Sequence, residues 1–219
     1  MKKIILFLML LSVTAFFAAS PEIEKAYSYE DQGDMKNAEK YYKLAYEKGD
    51  PDAAGDLGTF YLNEKKMTLA EKYLKIASDK GDNFGSYKLG NLYEHQGKYD
   101  LAIKSYKAAS DKGYVEATYG LSLLYYKQYK DFPNAEKYAK LSIDQGSVSG
   151  ISFLGTLYSE QENNKLAEKY WKQAAEKGEV TSMYNLAKYY DETNQPKLRD
   201  KYLIMAEKAL DSAEKNQKK

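Results

Sequence analysis

Few residues in this chain are of types that do covalent or metal chemistry. Its 219 residues include one histidine and no cysteine. A histidine-based catalytic triad would have to use His95, which sits in Glu94-His95-Gln96-Gly97, a stretch expected to form an exposed turn between two helices. Asp50, Asp52 and Asp56 offer oxygen ligands at close spacing, but the glycine and distal glutamate of a calcium loop are missing and Asp50-Pro51 has the pattern of a helix start. There is no glycine-rich phosphate loop and no His/Glu metal cluster. The 32 Asp and Glu residues are spread throughout, so no pair stands out as general acid and base. No catalytic residue, metal ion or cofactor is therefore expected. What the chain offers instead is hydrogen bonding and aromatic contact, above all from its 23 tyrosines.

The elements that must position those groups follow from five glycines, Gly49, Gly81, Gly113, Gly146 and Gly178, spaced 32, 32, 33 and 32 residues apart. A constant period of this size marks stacked supersecondary units. In register with it run Leu57-Gly58, Leu89-Gly90, Leu121-Ser122, Leu154-Gly155 and Leu186-Ala187, each followed by Tyr61, Tyr93, Tyr125, Tyr158 or Tyr190. Two further columns are small, Ala38, Ala70, Ala102, Ala135 and Ala167, then Ala45, Ala77, Ala109, Ser142, Ala174 and Ala206. Leu, small residue and Tyr at helical spacing on one helix, with small residues seven apart on the next, describe two antiparallel helices in close contact. Gly49 suits a left-handed helix end, with Asp50 as the next cap and Pro51 in the next first turn. Asp82 and Ser147 are equivalent caps, and Asp34 and Asp131 suit the second helices. The pattern predicts an all-α, α/α superhelical solenoid of six helix pairs: 21–50, 51–82, 83–114, 115–147, 148–179 and 180–219, the last ending in a charged capping helix. It is one repeat domain over 21–219.

On each first helix, the positions two before, two after and five after the leucine point away from the partner helix and are expected to align into a concave groove. Those columns supply Tyr27, Thr59, Tyr87, Asn91, Glu94, Tyr119, Leu123, Tyr126, Ser152, Thr156, Tyr184, Lys188 and Asp191, an aromatic track with charge at its end. Tyr87, Tyr119, Tyr126 and Tyr184 suit two roles equally, ligand contact or packing between neighbouring first helices. The tyrosines of the leucine column and those at Tyr41, Tyr73, Tyr106, Tyr138 and Tyr170 are packing residues. Trp171 stands where other repeats have Tyr42, Leu74, Tyr106, Ala139 and Leu203, and is expected to fill a wider gap beside Ala139. Acid-before-base pairs four apart, Glu39/Lys43, Glu71/Lys75, Glu136/Lys140 and Glu168/Lys172, mark a solvated convex face, each worth about 0.2–0.5 kcal/mol.

The line Ala53-x-x-x-Leu57-Gly58-x-x-Tyr61, then Ala70-x-x-Tyr73, then Ala77-x-x-x-Gly81 resembles the Sel-one-like repeat, a close relative of the tetratricopeptide repeat, over nearly all of residues 21–219. The repeats are a few residues shorter than is usual in that family and lack the cysteine pair of some secreted relatives. The fold and its groove point to a non-enzymatic scaffold that holds a peptide or protein segment, and the resemblance widens the range of partners without choosing among them. The family's exported bacterial members regulate envelope sensor proteins or act in contact with host cells. Some cysteine-rich relatives imply an alternative, binding or hydrolysis of cell-wall peptides or β-lactams, for which a serine such as Ser152 would be the nucleophile. A structural bridge in an envelope assembly, working through the convex face, is a further alternative.

Lys2-Lys3 followed by an apolar run from Ile4 to Ala19 and by Ala18-Ala19-Ser20 has the form of a secretory signal peptide over 1–20. The run is shorter than the roughly 20 apolar residues of a membrane span. Pro21 is a poor neighbour for cleavage, so an uncleaved N-terminal tether is the alternative to release. Export to the periplasm or the exterior is expected, with no membrane insertion of the domain itself. Without Lys2 and Lys3 the chain carries 31 basic against 32 acidic residues, which leaves no electrostatic bias toward nucleic acid. The expected partner is a protein or peptide.

Overall fold

The computed structural model describes residues 20–217, with side chains through Lys215. The expected leader at 1–20 lies outside the described residues, apart from Ser20. Twelve helices and no strand are found among the described residues: α1 Pro21–Asp31, α2 Met35–Glu47, α3 Ala53–Asn63, α4 Met67–Asp79, α5 Asn83–His95, α6 Tyr99–Ser110, α7 Val115–Leu124, α8 Phe132–Asp144, α9 Val148–Glu160, α10 Asn164–Glu176, α11 Val180–Glu192 and α12 Pro196–Gln217. The chain divides into two compact units, one ending at Gln96 and containing α1–α5, the other beginning at Gly97 and containing α6–α12. Within each unit, second helices pack both on their own first helix and on the first helix of the next repeat.

The helices stop and start where side chains can satisfy their free backbone groups. Gly49, Gly81, Gly113, Gly146 and Gly178 all have positive φ, and after Gly49 the amide of Asp50 reaches back to the Ala45 carbonyl at 3.1 Å. Asp34, Asp82, Asp131 and Ser147 accept from the amides of Asn37, Phe84, Asn134 and Gly150 at 2.9–3.1 Å. Asp50 and Pro51 differ from expectation: α3 begins at Ala53, and the Asp50 carboxylate instead accepts from the amide of Asp52 at 3.0 Å, forming a turn before the helix. The extra residue in the 33-residue spacing is absorbed by a π-helical turn, Tyr125–Tyr129, that prolongs α7.

A second column of left-handed residues lies between the two helices of each repeat, Gly33, Lys65, Gly97, Lys130, Glu162 and Asn194, of which only two are glycine. A β-carbon in this conformation costs about 1–2 kcal/mol, partly offset by the extra freedom glycine would give the unfolded chain. Glu162→Gly is therefore expected to raise stability by about 0.5–1 kcal/mol. Urea unfolding would check this, and an unchanged or lowered midpoint would contradict it.

The small columns are what let the helices approach. Every residue of both columns, from Ala38 to Ala206, is fully buried. Four of the five column tyrosines stack on a tyrosine of their own second helix, Tyr61 on Tyr73, Tyr125 on Tyr138, Tyr158 on Tyr170 and Tyr190 on Tyr202, with centroids 5.5–5.7 Å apart. The glutamates expected on a solvated face prove to be ties between repeats. Tyr61, Tyr93, Tyr158 and Tyr190 donate to Glu39, Glu71, Glu136 and Glu168 of the preceding second helix at 2.5–3.1 Å. Lys43, Lys140 and Lys172 pair with three of these carboxylates at 2.5–2.7 Å. Burial and the bond to Glu168 push the Tyr190 phenol up to about 12.

Candidate functional site

The residues expected to line one groove fall in both units. In the first, Tyr27 on α1 is 44% exposed, and the hydroxyl of half-buried Thr59 on α3 is turned back to the Gly55 carbonyl at 2.9 Å. Tyr87, Asn91 and Glu94 on α5 are all half-buried, with the Lys88 ammonium 6.0 Å from the Tyr87 ring centre. His95 is exposed as the last residue of α5.

In the second unit the aromatic track separates into packing and surface. Tyr119 on α7 sits edge-on to Phe153 of α9, with centroids 6.0 Å apart, and Tyr126 does the same to Phe153 and to Phe132 at 5.5 and 5.9 Å. Leu123 packs against the same core. Of the second unit's columns, Tyr184, Lys188 and Asp191 on α11 are exposed, Tyr184 at 43%. Lys188 pairs with Glu192 at 3.8 Å, and Asp191 with Arg199 at 2.8 Å.

Ser152 is 9% exposed. It accepts from the Ser182 hydroxyl at 2.7 Å and donates to the Glu179 carboxylate at 2.9 Å. Glu179 also caps α11 through the amides of Thr181 and Ser182 at 3.1 and 2.6 Å. Burial tends to raise the Glu179 carboxyl, but the hydrogen bonds from Ser182, Ser152 and Thr181 outweigh it and hold the group below the usual range. Ser152 thus ties two helices together under the surface.

Between α9 and α11 lies a cleft of about 460 Å³. Thr156, Ser159 and Glu160 line it from α9, and Asn185, Lys188, Tyr189 and Glu192 from α11. Trp171 of α10 contributes to the lining, and Asn164 and Thr193 flank it. Trp171 fits because α9 has no side chain where its ring lies: a β-carbon at Gly155 would be 2.5 Å from the indole Cδ1 and 2.7 Å from Nε1. Trp171 shares a buried cluster with Ala139, Phe153, Leu154, Tyr158 and Leu186. Its N–H is buried without a hydrogen-bond partner among the described residues. The amides of Asn164 and Asn185 and the hydroxyl of Ser159 likewise have no protein partner there, and they face the open cleft. Among the described residues no group of three or more His, Asp or Glu is arranged to hold a metal ion, and no helix is long and apolar enough to cross a membrane.

Residues 87–149 match a family model described as tetratricopeptide repeat, and residues 23–47 match a second model of the same description. Those two stretches are tetratricopeptide-type repeats, and the described residues as a whole form an all-α repeat fold. The fold is similar to that of a Sel1 repeat protein from Oxalobacter formigenes, at 22% identity and a TM-score of 0.68 over 90% of this chain and 93% of that one. It is also similar to pilF of Pseudomonas aeruginosa, at 20% identity and a TM-score of 0.68 over 90% and 96%. A tetratricopeptide repeat protein from Parabacteroides merdae matches at 20% identity with a TM-score of 0.62 over 86% and 77%. No curated protein matches the chain in sequence. The cleft is the space between the first helices of the last two helix pairs.

Thr156, Ser159 and Lys188 of the cleft fall in the columns read from the sequence, whereas Glu160, Asn185, Tyr189 and Glu192 are each one position removed from them. One residue turns a helix by about 100°, so a column fixed to the leucine captures only part of the open face. The missed signal is the spacing 185, 188, 189 and 192, a polar stripe at helical period beside the leucine column.

Proposed function

We propose that this chain is a non-enzymatic scaffold, exported to the periplasm or the exterior, that holds an extended segment of a partner protein in the α9–α11 cleft. The observation that carries this is the row of unengaged amide and hydroxyl groups in a cleft of about 460 Å³. That volume suits a short stretch of chain and not a folded domain. An extended peptide presents N–H and C=O groups alternately, and a side-chain amide such as that of Asn185 can donate to one and accept from the other. A helix-pair scaffold supplies such a wall without rearranging. Export is supported by Lys2-Lys3 and the apolar run ending at Ala19. The hydrolytic alternative is disfavoured because the Ser152 hydroxyl is buried and faces a carboxylate that is ionised and already accepts three hydrogen bonds.

The single tryptophan of the chain lies at the cleft and reports on its occupancy. Phage-displayed random peptides panned on the purified chain are expected to yield binders that change Trp171 fluorescence. Their affinity should fall about tenfold with Asn185→Ala, the size of one lost hydrogen bond in a desolvated contact. Failure to select any peptide, or binders indifferent to Asn185→Ala, would contradict the reading.

A further inference from the structure

The peptide reading of the cleft leaves open which side chain a bound segment brings, and Glu160 bears on that. It ends α9, it is exposed, and it lines the cleft mouth. Its carboxylate accepts a hydrogen bond from the Tyr126 hydroxyl. Tyr126 is itself fixed by the Phe132 and Phe153 rings, so the acceptor oxygen is held in one place before any ligand arrives. Among the described residues no lysine or arginine comes within ion-pair distance of it. Lys188, the lysine of the cleft lining, is drawn to Glu192 at 3.8 Å, and Lys130 lies over the Tyr126 ring at 5.0 Å from its centre. The other carboxylates along these surfaces are engaged: Glu192 by Lys188, Asp191 by Arg199, and Glu179 by its cap.

Resting on that reading, we propose that Glu160 is the seat for a basic side chain, so that the cleft takes extended peptides carrying an arginine or lysine. A pre-oriented carboxylate with one bond already in place has lone pairs left for a cation's N–H groups, and a guanidinium fits them with two parallel bonds. The amides and hydroxyls farther along the cleft then hold the main chain on either side of that residue. The phenol responds to the same arrangement: its bond to Glu160 and its burial push Tyr126 up to about 12, which keeps it a donor throughout the physiological range.

The test uses the panned random peptides, the purified chain and its Glu160→Gln variant, with folding compared by circular dichroism. Selected sequences are expected to share one recurrent arginine or lysine. Glu160→Gln should weaken them about five- to tenfold at low salt and flatten the salt dependence of binding. Replacing the recurrent arginine by citrulline should cost the normal chain a similar factor and the variant nothing further. Peptides that depend on Asn185 but show no recurrent basic residue, or that bind Glu160→Gln equally well, would overturn the seat while leaving the peptide cleft standing. Selection of no peptide at all would overturn both.

Discussion

Trp171→Ala is expected to lower the stability of the second unit by about 3–5 kcal/mol, the range for removing a buried large aromatic. The indole is 6% exposed and lies among Phe153, Leu154, Tyr158 and Leu186. It is pressed against the α9 backbone at Gly155, so no neighbouring side chain is placed to fill the space it leaves. Unfolding in urea followed by circular dichroism, which does not need the tryptophan, measures the effect. A loss below about 1 kcal/mol would show that the helices close over the gap and that the ring is not what holds them apart. The reciprocal change, Gly155→Ala, forces the ring to shift and is expected to cost about 1–3 kcal/mol. Because Trp171 also lines the cleft, either variant should disturb peptide binding even at temperatures where the chain stays folded.

Asp56→Asn is expected to stabilise the first unit at neutral pH. Burial pushes the Asp56 carboxyl up to about 6, and the carboxylates of Asp52, Asp50 and Asp82 push the same way against a bond from Tyr27. The folded state therefore holds this proton more tightly than the unfolded chain does. The stability it contributes is full below the ordinary aspartate range near pH 4 and is lost as pH rises through about 6. Ionised Asp56 then costs the fold about 1–2 kcal/mol, after allowing for its partial contact with water. Asparagine keeps the shape and removes the charge. The variant should match the normal chain near pH 4 and exceed it above pH 7, with the difference opening between about pH 4 and 6. Glu39 works in the opposite sense: hydrogen bonds from Lys43, Tyr61 and Lys66 outweigh its burial and hold it down to about 2, so its contribution disappears as pH falls below the ordinary glutamate range. Thermal unfolding across pH 2–8 covers both windows, and parallel curves for the normal chain and Asp56→Asn between pH 4 and 8 would refute the Asp56 account.

Much of the fold was legible because repetition multiplies weak signals. A single glycine after a helix is ambiguous, but five at a near-constant interval, with the Leu–small–Tyr column in register, leave little choice of architecture. The caps at Asp34, Asp82, Asp131 and Ser147 were legible for a local reason, since each precedes a helix whose free amides need an acceptor. Asp50-Pro51 carried the same local signal and misled, because a turn can use the same aspartate oxygen before the helix begins. The ties between repeats were missed because glutamate and tyrosine were each explained separately. Their constant separation of 22 residues was present in the sequence, yet it is meaningful only once neighbouring repeats are known to touch.

The site was harder. Helical columns identify a face to within about one residue, which was enough to include Thr156, Ser159 and Lys188 and too coarse to include Asn185 or Glu160. Tyrosine columns do not say which rings stay outside. Tyr119 and Tyr126 turn inward because Phe153 supplies a partner ring, whereas Tyr184 stays on the surface.

Site-specific photo-crosslinking in intact cells tests the central claim most directly, with benzoylphenylalanine placed at Asn185 in the cleft or at Lys169 on the exposed face of α10. A peptide-holding cleft predicts that the probe at 185 captures one partner through a short contiguous stretch of its chain, while the probe at 169 does not. Capture of that partner from 169 and nothing from 185 would contradict the account and assign recognition to the outer helices.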